Sequence, residues 1–595
     1  MSDKIIRIGG ASGYWGDSGM ATPQFLKAGG IDYIVYDYLA EITMSIMARA
    51  RAKDPNAGYA RDFVSVVMKQ NLSEIARQGV KIISNAGGVN PRACGEALRA
   101  LITDQGLDLK VAVVLGDDLI EQKDELSPTE MFSGESFPDP ARLASVNAYL
   151  GAFPIAQALG KGADIVITGR SVDSAVTLGA CIHEFGWSAE EWDKLSGGTL
   201  AGHLLECGPQ ATGGNFTDWH LVVDNMDTVG YPIGEVSPDG SFDVIKAEGT
   251  GGTVSVGTVS EQMIYEIGDP QAYIVPDVVC DFSGVEISQT AEDRVHVAGA
   301  KGYPATDTYK VSATYGDGWR GGTLMTFYGI DADKKARGFA TNAFKRARTA
   351  LRASNLGDFT ETSVEILGAE SQFGAHRRIS GAREVVLKFA AKHPEQAGIG
   401  ILLKEATGLG LATPPGLSGF SGARAKPSPV VRLFSFLIPK DELGIQIDFG
   451  DREFTFEPSA TETFADSMIQ RPGSPSAPTK DGDMVEIPLI DLAWGRSGDK
   501  GNKANVGIIA RQAEYLPYIW AALSEEVVSD RFSHFLEGDT ERFLMPGSNA
   551  INFLMDEILG GGGVASLRSD AQGKGYAQIL LDHPIPIPKA MAENL

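Results

Sequence analysis

The sequence predicts an α/β fold: a mainly parallel sheet flanked by helices, a β-rich middle section, and a compact α+β unit at the C-terminus. Three observations predict it. In the first part of the chain, short apolar runs alternate with helical patterns, which is typical of strands joined by crossover helices. From about residue 215 the segments become short, β-rich and punctuated by glycine. A stretch rich in proline and serine then separates the C-terminal unit from the rest.

Five predicted strands make up the parallel sheet. They are short, continuous and rich in branched residues, as expected of strands buried on both faces. They lie at residues 5–8, 33–36, 80–83, 111–115 and 165–167. Helical patterns separate them, including one at 141–159 and one that begins at Asn90-Pro91, where proline takes the first helical position. A barrel is the alternative arrangement, because this alternation does not fix the strand order.

The chain is predicted to divide into four segments. A parallel α/β region with Gly-rich strand-end loops is followed by a mixed β-rich and helical region that completes the main domain, then a linker, then the α+β unit; their bounds are 1–214, 215–469, 470–483 and 484–595. The linker is assigned because proline and serine at such density disfavour both strand and helix interiors. In the middle region we expect a strand at 253–258 and a helix at 381–392; in the last segment, a helix at 550–559 and a strand at 577–582.

Composition and charge exclude several function classes. Of 595 residues, 43% are hydrophobic and 22% charged, which indicates a globular protein. The formal net charge of −25 repels nucleic-acid phosphates and anionic membrane surfaces, so we expect neither partner. Four cysteines without a C-x-x-C pair indicate a reducing compartment. No signal peptide or long apolar run is visible, and the predicted location is the cytoplasm.

Small or polar loops follow all five predicted strands. Ligands of open parallel sheets bind outside the carboxyl ends of the strands, so five such loops predict one shared cleft. The residues that the loops offer are Ser12, Asp17, Asp37, Glu41, Asn85, Arg170, Ser171 and Asp173. Arg170 suits a carboxylate or phosphate, because its guanidinium group can form two parallel hydrogen bonds. Alternatively, Asp37 caps the next helix, and Asp173 pairs with Arg170 or caps its own helix.

The first of these loops resembles a nucleotide-binding turn only superficially. A Gly-rich turn after a first strand lets backbone approach a ligand. However, the glycines of residues 10–16 are spaced G-x-x-G-x-x-G, and bulky Tyr14 and Trp15 lie between them. Because a dinucleotide fingerprint needs G-x-G-x-x-G, a nucleotide-dependent oxidoreductase is disfavoured.

The segment from His203 to Cys207 offers proton-transfer groups. His203 and Glu206 are three residues apart, so on a helix they share a face and are candidates for general acid/base catalysis. No second pair at ligand spacing accompanies them, and we predict no metal. Cys207 is a candidate nucleophile if His203 lowers its pKa; a buried, inert cysteine is the commoner alternative.

The C-terminal segment contains one further candidate site. Arg496 and Lys500 lie in a Gly-rich loop that follows a predicted strand, and with the loop's backbone amides they form a candidate anion site. An exposed hairpin is the alternative.

Taken together, these motifs resemble the acyclic terpene utilisation protein A (AtuA) family over about residues 4–450. The matching stretches are Gly9-Gly10-Ala11-Ser12-Gly13, Tyr36-Asp37-Tyr38-Leu39-Ala40-Glu41, Ser84-Asn85-Ala86-Gly87-Gly88, Gly169-Arg170-Ser171-Val172-Asp173 and residues 202–215. Residues 493–502 resemble the ferredoxin-fold module often joined to that family, which implies a ferredoxin-like C-terminal domain. The resemblance implies a place in the bacterial breakdown of citronellol- and geraniol-type terpenes, whose intermediates are carried as acyl-CoA thioesters.

Two functions are compatible with these features. The first is a cytoplasmic lyase or hydratase that acts on a CoA thioester, with Asp37, Glu41, His203 and Glu206 as catalytic candidates. Ser12, Asp17, Asn85, Arg170, Ser171, Asp173, Arg496 and Lys500 would then bind substrate or its anionic groups. Coenzyme A enters as part of the substrate and no other cofactor is required. We expect a homo-oligomer, with an acyl-CoA carboxylase or hydratase of the same pathway as partner. The second function is a non-catalytic accessory or scaffold subunit for acyl-CoA carboxylase-type enzymes.

Overall fold

The computed structural model describes residues 4–17, 19–419, 424–459, 462–479, 482–563 and 565–595. Within these ranges the strands are β1 (Ile6–Gly10), β2 (Tyr33–Tyr36), β3 (Lys81–Ser84), β4 (Val111–Leu115), β5 (Leu143–Ala148), β6 (Ile165–Thr168), β7 (Pro232–Val236), β8 (Phe242–Lys246), β9 (Tyr273–Val275), β10 (Val278–Asp281), β11 (Glu286–Ala291), β12 (Arg294–Ala298), β13 (Lys301–Tyr303), β14 (Thr308–Tyr328), β15 (Glu361–Leu367), β16 (Glu384–His393), β17 (Leu417–Ser418), β18 (Ser428–Pro439), β19 (Ile445–Asp448), β20 (Glu453–Phe456), β21 (Met484–Pro488), β22 (Ala493–Lys500), β23 (Lys503–Ala510), β24 (Thr540–Met545), β25 (Ala550–Met555) and β26 (Pro584–Pro588).

The α-helices of the same ranges are α1 (Ala21–Ala28), α2 (Glu41–Arg51), α3 (Lys69–Gln78), α4 (Pro91–Asp104), α5 (Phe153–Gly160), α6 (Ala175–Phe185), α7 (Trp192–Leu205), α8 (Val256–Ile264), α9 (Ala332–Ala353), α10 (Gln396–Gly408), α11 (Leu489–Leu492), α12 (Leu516–Ala522), α13 (Glu525–Arg531), α14 (Tyr576–Leu580) and α15 (Lys589–Ala592). A π-helical stretch, Phe63–Met68, leads into α3. None of the described helices is long and apolar enough to cross a membrane.

Eleven of the described strands form the central sheet, in the order β11-β12-β8-β7-β1-β2-β3-β6-β4-β19-β20. The five strands predicted from the sequence lie together in its middle and pair in parallel. The prediction of a mainly parallel sheet is nevertheless wrong, because the strands added on both sides all pair antiparallel. They follow one another through short turns or come from distant parts of the chain, and only parallel neighbours require a crossover helix.

A second, six-stranded sheet is built around the 21-residue strand β14. It takes in β5, which lies in the segment predicted as a helix at 141–159; the chain there forms this strand and then the short helix α5. The predicted helix at 381–392 is also wrong, because β16 pairs with β14 and β15 instead. The strand predicted at 253–258 is wrong as well, because helix α8 begins within it. The Ser255 hydroxyl caps the first turn of this helix.

The C-terminal segment is an α+β unit, in which the four-stranded antiparallel sheet β22-β23-β25-β24 packs against short helices. Two local predictions fail here: residues 550–555 form strand β25, and helix α14 occupies 576–580. Strand β23 lies against α8 of the main domain, where Asn505 donates a hydrogen bond to the Ile264 carbonyl oxygen (2.7 Å). Between the two units, the described residues 469–479 contain neither helix nor strand.

Candidate functional site

Four strand-end loops meet at residues 37–39, directly after β2. The Ser12 hydroxyl donates to the carbonyl oxygen of Asp37 (3.1 Å). Asn85 donates from its amide nitrogen to Asp37 Oδ1, and its own Oδ1 accepts from the backbone N–H of Tyr38 (2.7 Å). Arg170 Nη1 donates to the Leu39 carbonyl oxygen (2.8 Å). Residues that are far apart in the sequence therefore come together, because β1, β2, β3 and β6 are neighbours in the parallel part of the sheet.

Around this point lies a group of charged side chains that we call the strand-end cluster: Asp37, Glu41, Arg170, Asp173, His203 and Glu206. Asp37 is only 7% exposed. Burial raises its pKa well above the usual value, and the charges of Asp173 and Glu206 raise it further, against the opposing influence of Arg170. The carboxyl group of Asp37 therefore binds a proton more strongly than an exposed aspartate does. Helix α2 begins after Ala40 without a side-chain cap, so Asp37 does not cap it.

Glu41 is the ionised member of the cluster. Its Oε1 accepts a hydrogen bond from the Tyr149 hydroxyl (2.6 Å). The Tyr149 ring has the Arg170 guanidinium 4.2 Å and the Lys310 ammonium 4.9 Å from its centroid. Burial raises the pKa of Glu41, but the charges of Arg170 and Lys310 and the Tyr149 hydrogen bond outweigh it and hold this pKa at about 2.

Arg170 is almost entirely buried and holds the loop that follows β6. Its Nη1 also reaches Asp173 Oδ1 at 2.9 Å, so the pairing alternative for Asp173 is the one that the structure shows. The Asp173 side chain is 37% exposed and marks the solvent side of the cluster.

His203 and Glu206 lie at the C-terminal end of α7, and their side chains face each other. His203 Nδ1 is 2.9 Å from Glu206 Oε1, and both side chains are buried. Burial raises the pKa of Glu206, and although His203 opposes this, the charge of Asp173 adds to it. His203 Nδ1 and Glu206 Oε1 are close but are not aligned for a hydrogen bond, and neither ring nitrogen of His203 has a hydrogen-bond partner among the described residues. Glu206 is thus a carboxyl group whose proton affinity is raised and which lies against the His203 ring.

Cys207 follows directly but is not activated. Burial raises the pKa of its thiol well above the usual value, and the charge of Glu206 raises it further. A nucleophilic cysteine needs a lowered pKa. The inert alternative is therefore the one that the electrostatics favour.

The C-terminal unit reaches the same place through the hairpin between β22 and β23. Lys500, at the tip of this hairpin, lies with its ammonium nitrogen 5.6 Å from the centroid of the Tyr273 ring. One residue earlier, Asp499 accepts from Lys574, which also bonds Glu266 (3.0 and 2.8 Å). Burial raises the pKa of Asp499 to about 6, with the charge of Glu266 as the next cause. Both units therefore contribute charged groups to this region.

Three further residues proposed from the sequence, Asp17, Ser171 and Arg496, make structural contacts away from the charged groups of the cluster. Asp17 closes the first loop by accepting from the Gly13 N–H and from the Tyr231 hydroxyl (both 3.0 Å). Ser171 is fully buried beside Thr168. Arg496 is held at the boundary between the two units by the Gln210 side chain and the Asn215 carbonyl oxygen, with its guanidinium 4.5 Å from the centroid of the Tyr265 ring.

The Gly-rich first loop has a packing role. A Cβ on Gly10 would lie 2.4 Å from the Leu205 carbonyl oxygen, and one on Gly13 would lie 3.0 Å from the Cys207 backbone. These two glycines let the first loop lie directly against the end of α7. That close approach places Ser12 and Asp37 next to His203 and Glu206.

A small polar cavity adjoins the cluster behind Glu41. Asn147 Oδ1 and Ser312 Oγ are buried there without a hydrogen-bond partner in the described chain. The lining residues are Glu41, Met44, Ser145, Asn147, Tyr149, Arg170, Ser312 and Thr314. In the described ranges, no group of three or more His, Cys, Asp or Glu side chains could hold a metal ion.

Sequence reasoning missed Tyr149, Lys310, Tyr273 and Glu266. Tyr149 falls in the segment predicted as a helix, and Lys310 lies on β14, which brings it to the cluster only through its pairing with β5. None of the four belongs to a Gly-rich loop or another recognisable motif. The sequence indicated the Gly498-Asp499-Lys500 loop, but it did not indicate that this loop lies close to the main domain.

Comparison with known proteins gives two matches. A family model described as acyclic terpene utilisation family protein AtuA matches residues 6–449, and one described as AtuA ferredoxin-like domain matches residues 487–586. No curated protein and no solved structure matches the chain.

Proposed function

Because the chain belongs to the acyclic terpene utilisation (AtuA) family and carries its ferredoxin-like domain, we propose that it is an enzyme that acts on a branched CoA thioester as a lyase or hydratase. Membership of the family implies a role in acyclic terpene utilisation. The enzymatic step is our inference from the strand-end cluster.

One observation carries the proposal: neighbouring buried carboxyl groups have their pKa values moved in opposite directions. The pKa values of Asp37 and Glu206 are raised, whereas the pKa of Glu41 is lowered. General acid–base catalysis needs groups that hold or accept a proton near the working pH, and carboxyl groups of unlike environment supply them. Buried carboxyl groups with raised pKa values also occur elsewhere in the molecule, Glu261 among them, so the proposal depends on the opposite shifts of Asp37 and Glu206 on one side and Glu41 on the other.

The arrangement suits chemistry next to a thioester carbonyl. In a hydration, a base takes a proton from water as the water oxygen bonds to the β-carbon, the carbon–carbon π bond opens, and an acid protonates the α-carbon. In a lyase step, a base takes the proton of a β-hydroxyl group as the carbon–carbon bond breaks, and an acid protonates the resulting thioester enolate. We assign the role of acid to Asp37 and that of base to Glu206, which lies beside His203. Glu41 stays charged and holds the Tyr149 hydroxyl in place.

Asp37→Asn and Glu206→Gln test the proposal, with Glu261→Gln as the matched control. Glu261 is also a buried glutamate with a raised pKa, about 7, but it lies on α8 and accepts from the Thr217 N–H outside the cluster. With a panel of branched enoyl- and 3-hydroxyacyl-CoA thioesters, we expect both cluster variants to lower kcat by about 10²–10⁴-fold and the control to retain activity.

Binding and catalysis are measured separately in this experiment. A rise in Tm with the CoA thioesters reports binding, and single-turnover conversion reports the chemical step. Absence of any Tm shift across the panel would contradict the proposal. Thioester binding with no conversion, together with co-purification of an acyl-CoA carboxylase and unchanged pathway flux in Asp37→Asn and His203→Ala, would instead indicate the accessory role. The homo-oligomeric state stays a prediction, which light scattering checks.

A further inference from the structure

Two lysines beside the strand-end cluster form no ion pair within the described part of the chain, although the protein carries a net charge of −25. Neither Lys310 nor Lys500 forms a hydrogen bond through its ammonium nitrogen, or an ion pair within 4.0 Å, with any other described residue. Each ammonium instead lies over an aromatic face, Lys310 over Tyr149 and Lys500 over Tyr273.

Two other lysines of the C-terminal unit, Lys503 and Lys574, are paired. Lys503 directly opposes Lys500 in the β22–β23 pairing, and its ammonium is 2.6 Å from a carboxylate oxygen of Asp556. Lys574 bonds both Glu266 and Asp499. The lack of an anionic partner at Lys500 is therefore not shared by Lys503 and Lys574 of the same unit.

The surroundings of Lys310 make its charge costly in the free protein. Burial lowers the pKa of Lys310 first, and the charges of Lys500 and Arg170 lower it further, against the attraction of Glu41 and Asp173. Cations held near one another in a partly buried place destabilise the fold unless an anion joins them. Such an arrangement is typical of a binding site.

We propose that Lys310 and Lys500 together bind an acidic group of the ligand, a carboxylate or a phosphate, that enters between the two units beside the strand-end cluster. The ligand's identity as a CoA thioester rests on the proposed function above. The two ammonium groups come from different units, β14 of the main domain and the hairpin of the ferredoxin-like domain. A bound anion would therefore connect the two units.

A CoA thioester has acidic groups of two origins, and four probes distinguish them. Coenzyme A carries the phosphates alone, butyryl-CoA adds an uncharged acyl group, glutaryl-CoA adds an acyl carboxylate, and glutarate carries carboxylates alone. The full-length protein is titrated with each by calorimetry. The variants are Lys310→Met, Lys500→Met and Lys310→Arg, which keeps the charge, with Lys503→Met as the control from the same hairpin.

We expect at least one probe to bind, and Lys310→Met or Lys500→Met to weaken its binding by about tenfold or more, as for the loss of a charge-assisted hydrogen bond. Lys310→Arg and Lys503→Met should bind nearly as the unmodified protein does. If glutaryl-CoA binds more tightly than butyryl-CoA and the methionine variants lose this difference, the acidic group that the lysines bind is the acyl carboxylate. If the methionine variants lose affinity equally for coenzyme A and for both thioesters, the acidic group that the lysines bind is a phosphate.

Two results separate this inference from the proposed function. If CoA thioesters bind with unchanged affinity to both methionine variants, the lysine site is refuted while the proposed function stands. If no thioester binds but glutarate does so in a lysine-dependent way, the anion site stands and the proposed function fails. Absence of lysine-dependent binding for all four probes overturns the inference. Far-UV circular dichroism and Tm confirm that each variant is folded.

Discussion

The strand-end cluster and the boundary between the two units differ in whether their charged side chains have partners. At the boundary, Asp218 receives two hydrogen bonds from the Arg511 guanidinium (2.7 Å each) and a third from the Trp494 indole (2.8 Å). In and beside the strand-end cluster, the buried carboxyl groups of Asp37 and Glu206 have raised pKa values, and Lys310 and Lys500 form no ion pair with another described residue.

From this difference we infer that the boundary groups stabilise the fold, whereas the groups of the strand-end cluster serve a ligand or a reaction. Saturated hydrogen bonds and ion pairs at a domain boundary offset the cost of burying polar atoms. Like charges and protonated carboxyl groups in a buried place reduce stability, and natural proteins tolerate this cost mainly where a ligand or a reaction needs it. Three stability measurements test the contrast.

The largest effect is expected from Asp218→Ala. The substitution leaves Arg511 and Trp494 without their shared acceptor in a half-buried place, and we expect a loss of about 2–3 kcal/mol in the free energy of unfolding. Urea denaturation followed by tryptophan fluorescence measures it. Asp224→Ala, an exposed aspartate of the same segment, is the control and should leave the midpoint in place. Equal midpoints for the two variants would show that the boundary contacts add no stability.

A pH-dependent effect of intermediate size is expected from Glu261→Gln. Burial raises the pKa of Glu261 to about 7 in the folded protein, so the folded state binds a proton that the unfolded state has released. Stability of the unmodified protein should therefore fall as pH rises from about 4.5 to about 7, by up to ~1.4 kcal/mol per pH unit from this group. The variant lacks this loss, so its Tm should exceed that of the unmodified protein at pH 8 and equal it at pH 4.5. A Tm difference that does not vary with pH would be inconsistent with a protonated Glu261.

The smallest effect is expected from Lys310→Met in the free protein. Removing a buried cation that Arg170 and Lys500 repel should leave stability unchanged or raise it by up to ~1 kcal/mol, because the lost attraction to Glu41 offsets part of the gain. Thermal unfolding without ligand measures it. Lys574→Met, which removes a lysine with two carboxylate partners, should by contrast lower Tm. Destabilisation by both substitutions to the same extent would remove the distinction between paired and unpaired lysines.

Local signals predicted the parallel core well and the rest of the sheets poorly. Asn90-Pro91 marks a helix start, and the structure confirms it: α4 begins at Pro91, and the Asn90 side chain accepts from the Ala93 N–H. By contrast, two segments predicted as helices contain strands, at residues 143–148 and 384–393. Both strands form because they pair with the long strand β14. Pairing with a distant strand overrides local propensity, since it satisfies the backbone groups and buries one face.

The candidate site shows the same division. The loops that carry Ser12, Asp37, Asn85 and Arg170 were recognisable because each follows a buried strand of a predicted parallel sheet. The positions of Tyr149, Lys310 and Tyr273 were not, because these residues reach the cluster through antiparallel pairing and through the packing of the second unit.

The sequence by itself determined the family, the five parallel strands and the residue types at their ends, because short apolar runs, glycine spacing and turn residues act over a few positions. Only the tertiary structure decided which charges are paired, which carboxyl groups have raised pKa values and which of the described lysines form no ion pair. Those properties depend on burial and on distances between groups hundreds of residues apart, and no local pattern encodes them.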